Sequence, residues 1–209
     1  MNSLANEVSA YPRGRVPREV RRRHVIGLAR ELFVERAYDG ASMDELARRA
    51  GVSKPVVYDL VGSKEELFRD VMSVEAEELS RRISEAVARE PVREERLRAG
   101  AIAFFNFVGE RRDAWAALMA MDAAAVTREV ARARRYHTKV VAGLLAQGAA
   151  EVGNVADPVL TDACAHAING ACEALAMWWH EHREVEAETL AGLLTELVSP
   201  GLLAFAGQR

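Results

Sequence analysis

The chain is 209 residues long, half of them apolar yet only 6% aromatic, enough to bury a sizeable core made mostly of Ala, Leu and Val. Strong helix formers dominate and no alternating strand pattern persists, which excludes a sheet-based fold, and no run of about 18 apolar residues exists to span a membrane. The formal charge of −3 argues against a nucleic-acid partner only until its distribution is read: residues 1–64 carry 12 Lys+Arg against 8 Asp+Glu, and the remainder 16 against 23. A basic front on an acidic body is the asymmetry expected where one end meets phosphate.

Residues 1–16 contain Pro12, Gly14 and few apolar groups and read as a flexible basic arm. They lack the apolar stretch of a secretory signal. Cys164 and Cys172 lie eight apart on one predicted helix, about 12 Å along its axis, too far for a disulfide within the chain. Reduced cysteines and no export signal lead to an expected cytoplasmic location.

The first predicted helix opens at Pro17 and runs to about Arg36, where Asp39-Gly40 breaks it. Its apolar stripe is Val25, Ala29, Leu32 and Phe33. Helices follow at about 43–50 and 54–60, and Gly62-Ser63 restarts the chain into a fourth that stops before Pro91. At 1.5 Å per residue this fourth helix is about 40 Å long. A fifth, Val92–Gly109, carries apolar groups on more than one face and is expected to be buried by several neighbours. A short helix near Asp113–Asp122, a longer one near Val126–Val152, and two final helices, Pro158–His182 and Val185–Ala206, complete an all-α chain. The last is expected to be interrupted at Ser199-Pro200-Gly201.

The segment 42–67, SMDELARRAGVSKPVVYDLVGSKEEL, carries the strongest signal. Ser42 followed by Glu45, and Ser63 followed by Glu66, have the spacing of capping boxes. Ser53 is a further candidate cap, with Pro55 in the first turn, where its missing N–H costs nothing. Gly51 suits the left-handed turn between two helices, Ala47 lets them approach closely, and Val57 closes the small core between them. This is the pattern of a helix-turn-helix. With Leu32-Phe33, Tyr38, Leu46-Ala47, Ala50-Gly51-Val52-Ser53, Tyr58 and Ser63-Lys64-Glu65, the stretch from about Arg22 to Val71 resembles the tetracycline-repressor (TetR) family of bacterial regulators. The resemblance implies a homodimer, a DNA-binding domain over 17–62 and a ligand-binding and dimerisation domain over 63–209. Two positions depart from the family pattern. Leu60 stands where a polar residue is common, and Val61 replaces the usual aromatic.

In a helix-turn-helix the second helix enters the major groove N-terminus first. Ser53, Lys54, Pro55 and Val56 are therefore the candidate base-edge group, with Lys54 able to donate to guanine and Val56 to touch a thymine methyl. Tyr58 and Lys64, and by resemblance Ser42, suit phosphate oxygens. The alternative makes Val56 core and Lys64 a solvated charge. Asp59 either accepts from cytosine or pairs with an arginine. Arg13 and Arg15, with Arg18 and Arg21–Arg23, form an arm that either tracks DNA or acts as a solubilising tail.

Small residues Ala163, Ala167, Gly170, Ala171 and Ala174 on the helix after Pro158, with Leu190, Leu193, Leu194 and Leu197 on the last, suit a four-helix bundle across a two-fold axis. The other reading packs both faces within one chain. An apolar effector site is expected from Phe104, Phe105, Val108, Trp115 and Met119. Tyr136, Val140 and Trp178 extend it, and His137, His166, Asn169 and Glu173 supply its polar contacts. No cofactor and no metal are expected. His180-Glu181-His182 does not share a helix face, and no catalytic constellation is present. The expected function is a ligand-responsive transcriptional repressor that binds a palindromic operator as a dimer and is released by a small hydrophobic effector. The alternative is an architectural DNA-binding protein without an effector, which requires a filled C-terminal core.

Overall fold

The computed structural model of the protein describes residues 16–119 and 124–206, with side chains described as far as residue 202. Helices α1 (Arg18–Gly40), α2 (Met43–Ala50), α3 (Lys54–Val61) and α4 (Lys64–Arg89) come first. A single 3₁₀ turn, Arg93–Glu95, precedes α5 (Arg96–Gly109), α6 (Arg112–Met119), α7 (Ala124–Ala150), α8 (Pro158–Glu181) and α9 (Ala187–Ala206). The described residues are all-α, as the helix-forming composition requires.

The chain divides into two compact units, Met1–Val74 with Ala120–Val130, and Glu75–Met119 with Ala131–Arg209. The division falls within α4 and again within α7, so each of these helices continues from one unit into the other. In the first unit, α1, α2, α3 and the start of α4 enclose a core of Val25, Ala29, Leu32, Leu46, Ala47, Val57, Leu60 and Leu67. Leu60 and Val61, the two departures from the family pattern, are both buried there. An apolar residue at 60 is thus spent on packing. The second unit is built on α5, along which α9 lies, with α8 against both. Phe104, Phe105, Phe107 and Trp179 form its aromatic centre, with Val108 buried among the same core residues.

The first helix departs from expectation at its end. The break sits at Ala37 (φ 55°, ψ 179°), ahead of Asp39-Gly40. That backbone conformation suits glycine and is costly for a residue with a Cβ. Past the break, the Tyr38 ring meets Phe68 edge-on at 4.9 Å and stacks on Phe33 at 6.0 Å. Ala37→Gly removes about 1–2 kcal/mol of left-handed strain and adds roughly 0.5–1 kcal/mol of unfolded-state entropy cost. The expected result is a small rise in melting temperature, checked by thermal denaturation; a fall would mean that Ala37 is unstrained.

Other boundaries also differ. The stretch from Val92 opens as the 3₁₀ turn, and α5 starts only at Arg96. The final helix is not interrupted at Ser199-Pro200-Gly201, since α9 continues through Pro200 to Ala206. Proline removes one backbone donor there, and the ladder resumes within the same helix.

Candidate DNA interface and candidate ligand cavity

The turn between α2 and α3 is built by three local devices. The Ser42 hydroxyl accepts from the Glu45 backbone N–H (3.2 Å) and starts α2. Gly51 ends it at φ 65°, ψ 29°, with its own N–H on the Arg48 carbonyl and that of Val52 on Ala47, a Schellman closure. Gly62, at φ 69° and ψ −142°, closes α3, and a Cβ there would collide with the Glu66 carboxylate.

The two capping boxes differ in outcome. At Ser63 both halves form: the Ser63 N–H donates to Glu66 Oε2 (2.8 Å), and the Glu66 N–H donates to Ser63 Oγ. At Ser42 only the forward half forms, because the Glu45 carboxylate is taken by Arg48 and Arg49. Those guanidiniums hold the Glu45 carboxyl at about 2. Ser53 occupies the cap position of α3 without a side-chain hydrogen bond. Its hydroxyl is therefore left for other partners.

Ser53, Lys54, Pro55 and Tyr58 are exposed together on the first turns of α3, and Ser42 is exposed at the start of α2. Val56 is half-buried against the first core. Lys54 donates to Asp44 at 3.0 Å, and Lys64 reaches the Asp39 carbonyl at 3.3 Å while lying 4.7 Å from the Tyr38 ring. Asp59 pairs with Arg18, whose guanidinium also donates to the Asp59 carbonyl at 2.6 Å. Arg13 and Arg15 lie outside the described residues.

The second unit holds a cavity of about 1110 Å³ that is partly open to solvent. Its wall is mainly aliphatic, with Ile83 and Val87 from α4, Leu97 from α5, Val141 and Leu144 from α7, and Ile168 from α8. Along α7 it extends from His137 to Ala149, about 18 Å of helix. Along α8 it extends from Leu160 to Cys172. One end, at the loop 153–157, is rimmed by Arg93, Glu94 and the Arg96–Glu151 ion pair. The opposite end carries Phe104, His137 and Asn169.

His137 is almost fully buried, and burial pushes its imidazole down to about 4, so the ring is neutral near pH 7. Its Nδ1 is 3.2 Å from Ser80 Oγ. Asn169 Nδ2 donates to Thr138 Oγ1 at 2.9 Å, and that hydroxyl donates to the Arg134 carbonyl. Cys172, beside them, is pushed up to about 12 by burial and stays a thiol.

Of the twelve candidate ligand residues, Phe104, His137 and Asn169 line this cavity. Phe105 and Val108 are solid core, and Trp115 stands edge-on to Phe104 at 5.8 Å. Met119 and Val140 are half-buried and off the cavity wall. Tyr136 is exposed, as is Trp178, whose ring stacks on His182 at 3.8 Å. His166 is exposed, with Nδ1 on the Asp162 carbonyl, and Glu173 holds Arg134 in a two-pronged ion pair. The stripe 166, 169, 173 straddles the edge of the helix, and only its middle residue faces inward. The sequence signal for the rest of the wall was an aliphatic stripe, Val141, Leu144, Leu145 and Gly148, on a helix otherwise rich in arginine. A search weighted toward aromatics passes over it.

A helix-turn-helix with its second helix exposed at the N-terminus, joined in one chain to a helical unit with a large apolar pocket, defines a DNA-binding regulator. Residues 25–71 match the family model described as bacterial regulatory proteins, tetR family, and residues 93–201, more than half of the chain, match the tetracyclin repressor-like C-terminal domain. The chain belongs to the tetR family and is a transcriptional regulator, not an enzyme. It is 43% identical over 94 residues to the HTH-type transcriptional activator FasR of Mycolicibacterium smegmatis, a match spanning 45% of this chain and 43% of that protein. The relative is therefore matched over less than half its length. Among solved structures it is similar to a TetR-like transcriptional regulator from Rhodococcus sp. RHA1 (29% identity, TM-score 0.64, 90% of this chain and 99% of that one). It shares its fold with the transcriptional regulator FadR from Bacillus subtilis, solved in complex with stearoyl-CoA (15% identity, TM-score 0.68, 83% and 95%). Among the described residues no helix is long and apolar enough to cross a membrane.

Proposed function

We propose that the protein is an effector-responsive repressor that binds a palindromic operator as a homodimer. In this reading residues 17–62 contact DNA, and residues 63–209 bind the effector and dimerise. The observation that carries the effector half is the aliphatic cavity of about 1110 Å³. An architectural DNA binder would gain stability by filling that space, since unfilled apolar volume is destabilising. The volume lies just above the usual range of about 300–1,000 Å³ for ligand pockets, and its length along α7 suits an extended chain better than a compact ring system. An extended sixteen-carbon acyl chain spans about 19 Å, taking C–C bonds of about 1.5 Å. We therefore assign the effector as a long-chain acyl group with its charged head at the Arg93–Arg96 rim, a class to which the stearoyl-CoA bound by FadR belongs.

Ile83, Ser84 and Val87 of α4 lie on the cavity wall, and α4 continues N-terminally to Lys64 beside the helix-turn-helix. An effector favouring one placement of α4 shifts the recognition helices, and linkage makes acyl ligand and operator mutually antagonistic. Hexadecanoyl-CoA is expected to raise the melting temperature and to release an operator selected from random duplexes. A ligand that leaves both unchanged would return the architectural reading. FasR is named an activator, so in vitro transcription with and without the protein decides the sign of regulation.

On DNA, Lys54→Ala is expected to lower operator affinity by about 1 kcal/mol and to relax preference at one base pair. The loss is held to this size because Lys54 gives up its Asp44 partner in order to bind. Fluorescence anisotropy on single-base operator variants checks it. Unchanged base preference would remove Lys54 from the recognition group.

A further inference from the structure

The polar end of the cavity is built in a way that a plain hydrocarbon tail does not need. Asn169 and His137 are both buried, 5% and 9% exposed, and both line the cavity at the end remote from the charged rim. The orientation of the Asn169 amide is fixed by its neighbour. Thr138 Oγ1 spends its proton on the Arg134 carbonyl, so it must accept from Asn169 Nδ2. Asn169 therefore presents its carbonyl oxygen, an acceptor without a partner among the described residues. His137 is engaged at Nδ1 by Ser80, and its Nε2 likewise has no described partner. In the tautomer on which the Ser80 hydroxyl donates to Nδ1, the one this inference takes, Nε2 carries the ring proton and donates. In that tautomer the far end of the aliphatic pocket is lined by one residue with an open donor and one with an open acceptor.

We infer that this end of the cavity is a hydroxyl-recognition subsite, and that the effector is a long aliphatic acyl chain bearing a hydroxyl at the end remote from its charged head. A hydroxyl is the one simple group that answers both atoms: it accepts from His137 Nε2–H and donates to Asn169 Oδ1. A ketone leaves Asn169 without a donor. A methyl terminus leaves both atoms without a partner after displacing whatever solvent they held, which disfavours it. An ionised carboxylate at this end would face the Asn169 carbonyl oxygen and, with the imidazole neutral, would find no charge to balance it. Sites built to hydrogen-bond a hydroxyl reject the analogue lacking it far more strongly than apolar pockets reject one extra methylene.

The inference rests on the reading that the cavity holds an acyl effector, and the test separates the two. Isothermal titration of the full-length protein with hexadecanoyl-CoA and with 16-hydroxyhexadecanoyl-CoA is expected to give at least tenfold tighter binding of the hydroxylated thioester. His137→Phe and Asn169→Leu are each expected to abolish that preference, so that the two thioesters bind alike. Equal or weaker binding of the hydroxylated thioester by wild type overturns the subsite and leaves the acyl cavity standing. Binding of neither thioester overturns both. The wild-type comparison stands by itself if a variant fails to fold.

Discussion

Gly170→Trp is expected to convert the protein to monomers and to weaken operator binding by roughly a hundred- to ten-thousandfold, the range lost when two linked half-site contacts become independent. The expectation rests on where Gly170 lies. Ala163, Ala167, Gly170 and Ala174 are all exposed along one stripe of α8, and a Cβ built at Gly170 meets nothing within 4 Å. Bulk at this position therefore leaves the subunit's own core untouched. The stripe continues into Met177 and Trp178, exposed by 38% and 45%, and α9 adds Leu193 at 43% and Leu197 at 69%. Leu190 and Leu194, on the inner side of the same helix, are buried in the subunit. A small-residue groove beside projecting apolar side chains suits a second copy of α8 and α9 packed across a two-fold axis. Sedimentation measures the assembly and anisotropy the operator affinity. A variant that stays dimeric and binds normally would move the interface elsewhere, and one that unfolds would show that the stripe is internal.

The helix-turn-helix was legible because its determinants are local. Caps at Ser42 and Ser63, the left-handed turn at Gly51 and the Ala47–Val57 contact each depend on residues a few positions apart, and the backbone geometry requires those residue types. The strained alanine at position 37 carries no such signal. The Tyr38 ring that follows it packs on Phe68 of α4, a contact that local spacing does not announce. Glu45 was misjudged for a different reason, a competition among local partners. Its capping role depends on which partner wins, and Arg48 and Arg49 outcompete the Ser42 N–H. The cavity was the least legible feature, since a void is a property of side chains that fail to meet. Trp178 and Tyr136 have the composition of a pocket but lie on the outer faces of their helices, whereas Leu144 and Gly148 have the composition of ordinary helix and line the space. Helical spacing assigns residues to faces. It does not say which face closes on a partner and which on a void.

The second large effect is an acid-side loss of stability that belongs to His137. Its imidazole titrates at about 4 in the folded protein against about 6.5 in an unfolded chain. Between those values the unfolded state holds the proton and the folded state does not, so stability falls as pH falls. The contribution is complete above about pH 6.5 and is lost progressively toward pH 4, amounting to about 3 kcal/mol in all. The carboxylates held down by arginines, Glu45, Glu78, Glu85 and Glu110, lose their share only below their ordinary range near 4.5, so the two windows separate. Among the described residues His24 also acts in the upper window. Its imidazole is also lowered by burial, with Glu31 opposing the shift. Urea denaturation at steps from pH 7.5 to pH 4.5 is expected to show the slope in wild type and in His24→Gln. His137→Gln, which can still bond Ser80 and does not titrate, is expected to flatten it. A slope that survives in His137→Gln and vanishes in His24→Gln would place the buried neutral imidazole in the first unit and leave the His137 ring charged at the cavity wall, where it could no longer present a neutral Nε2–H to the effector.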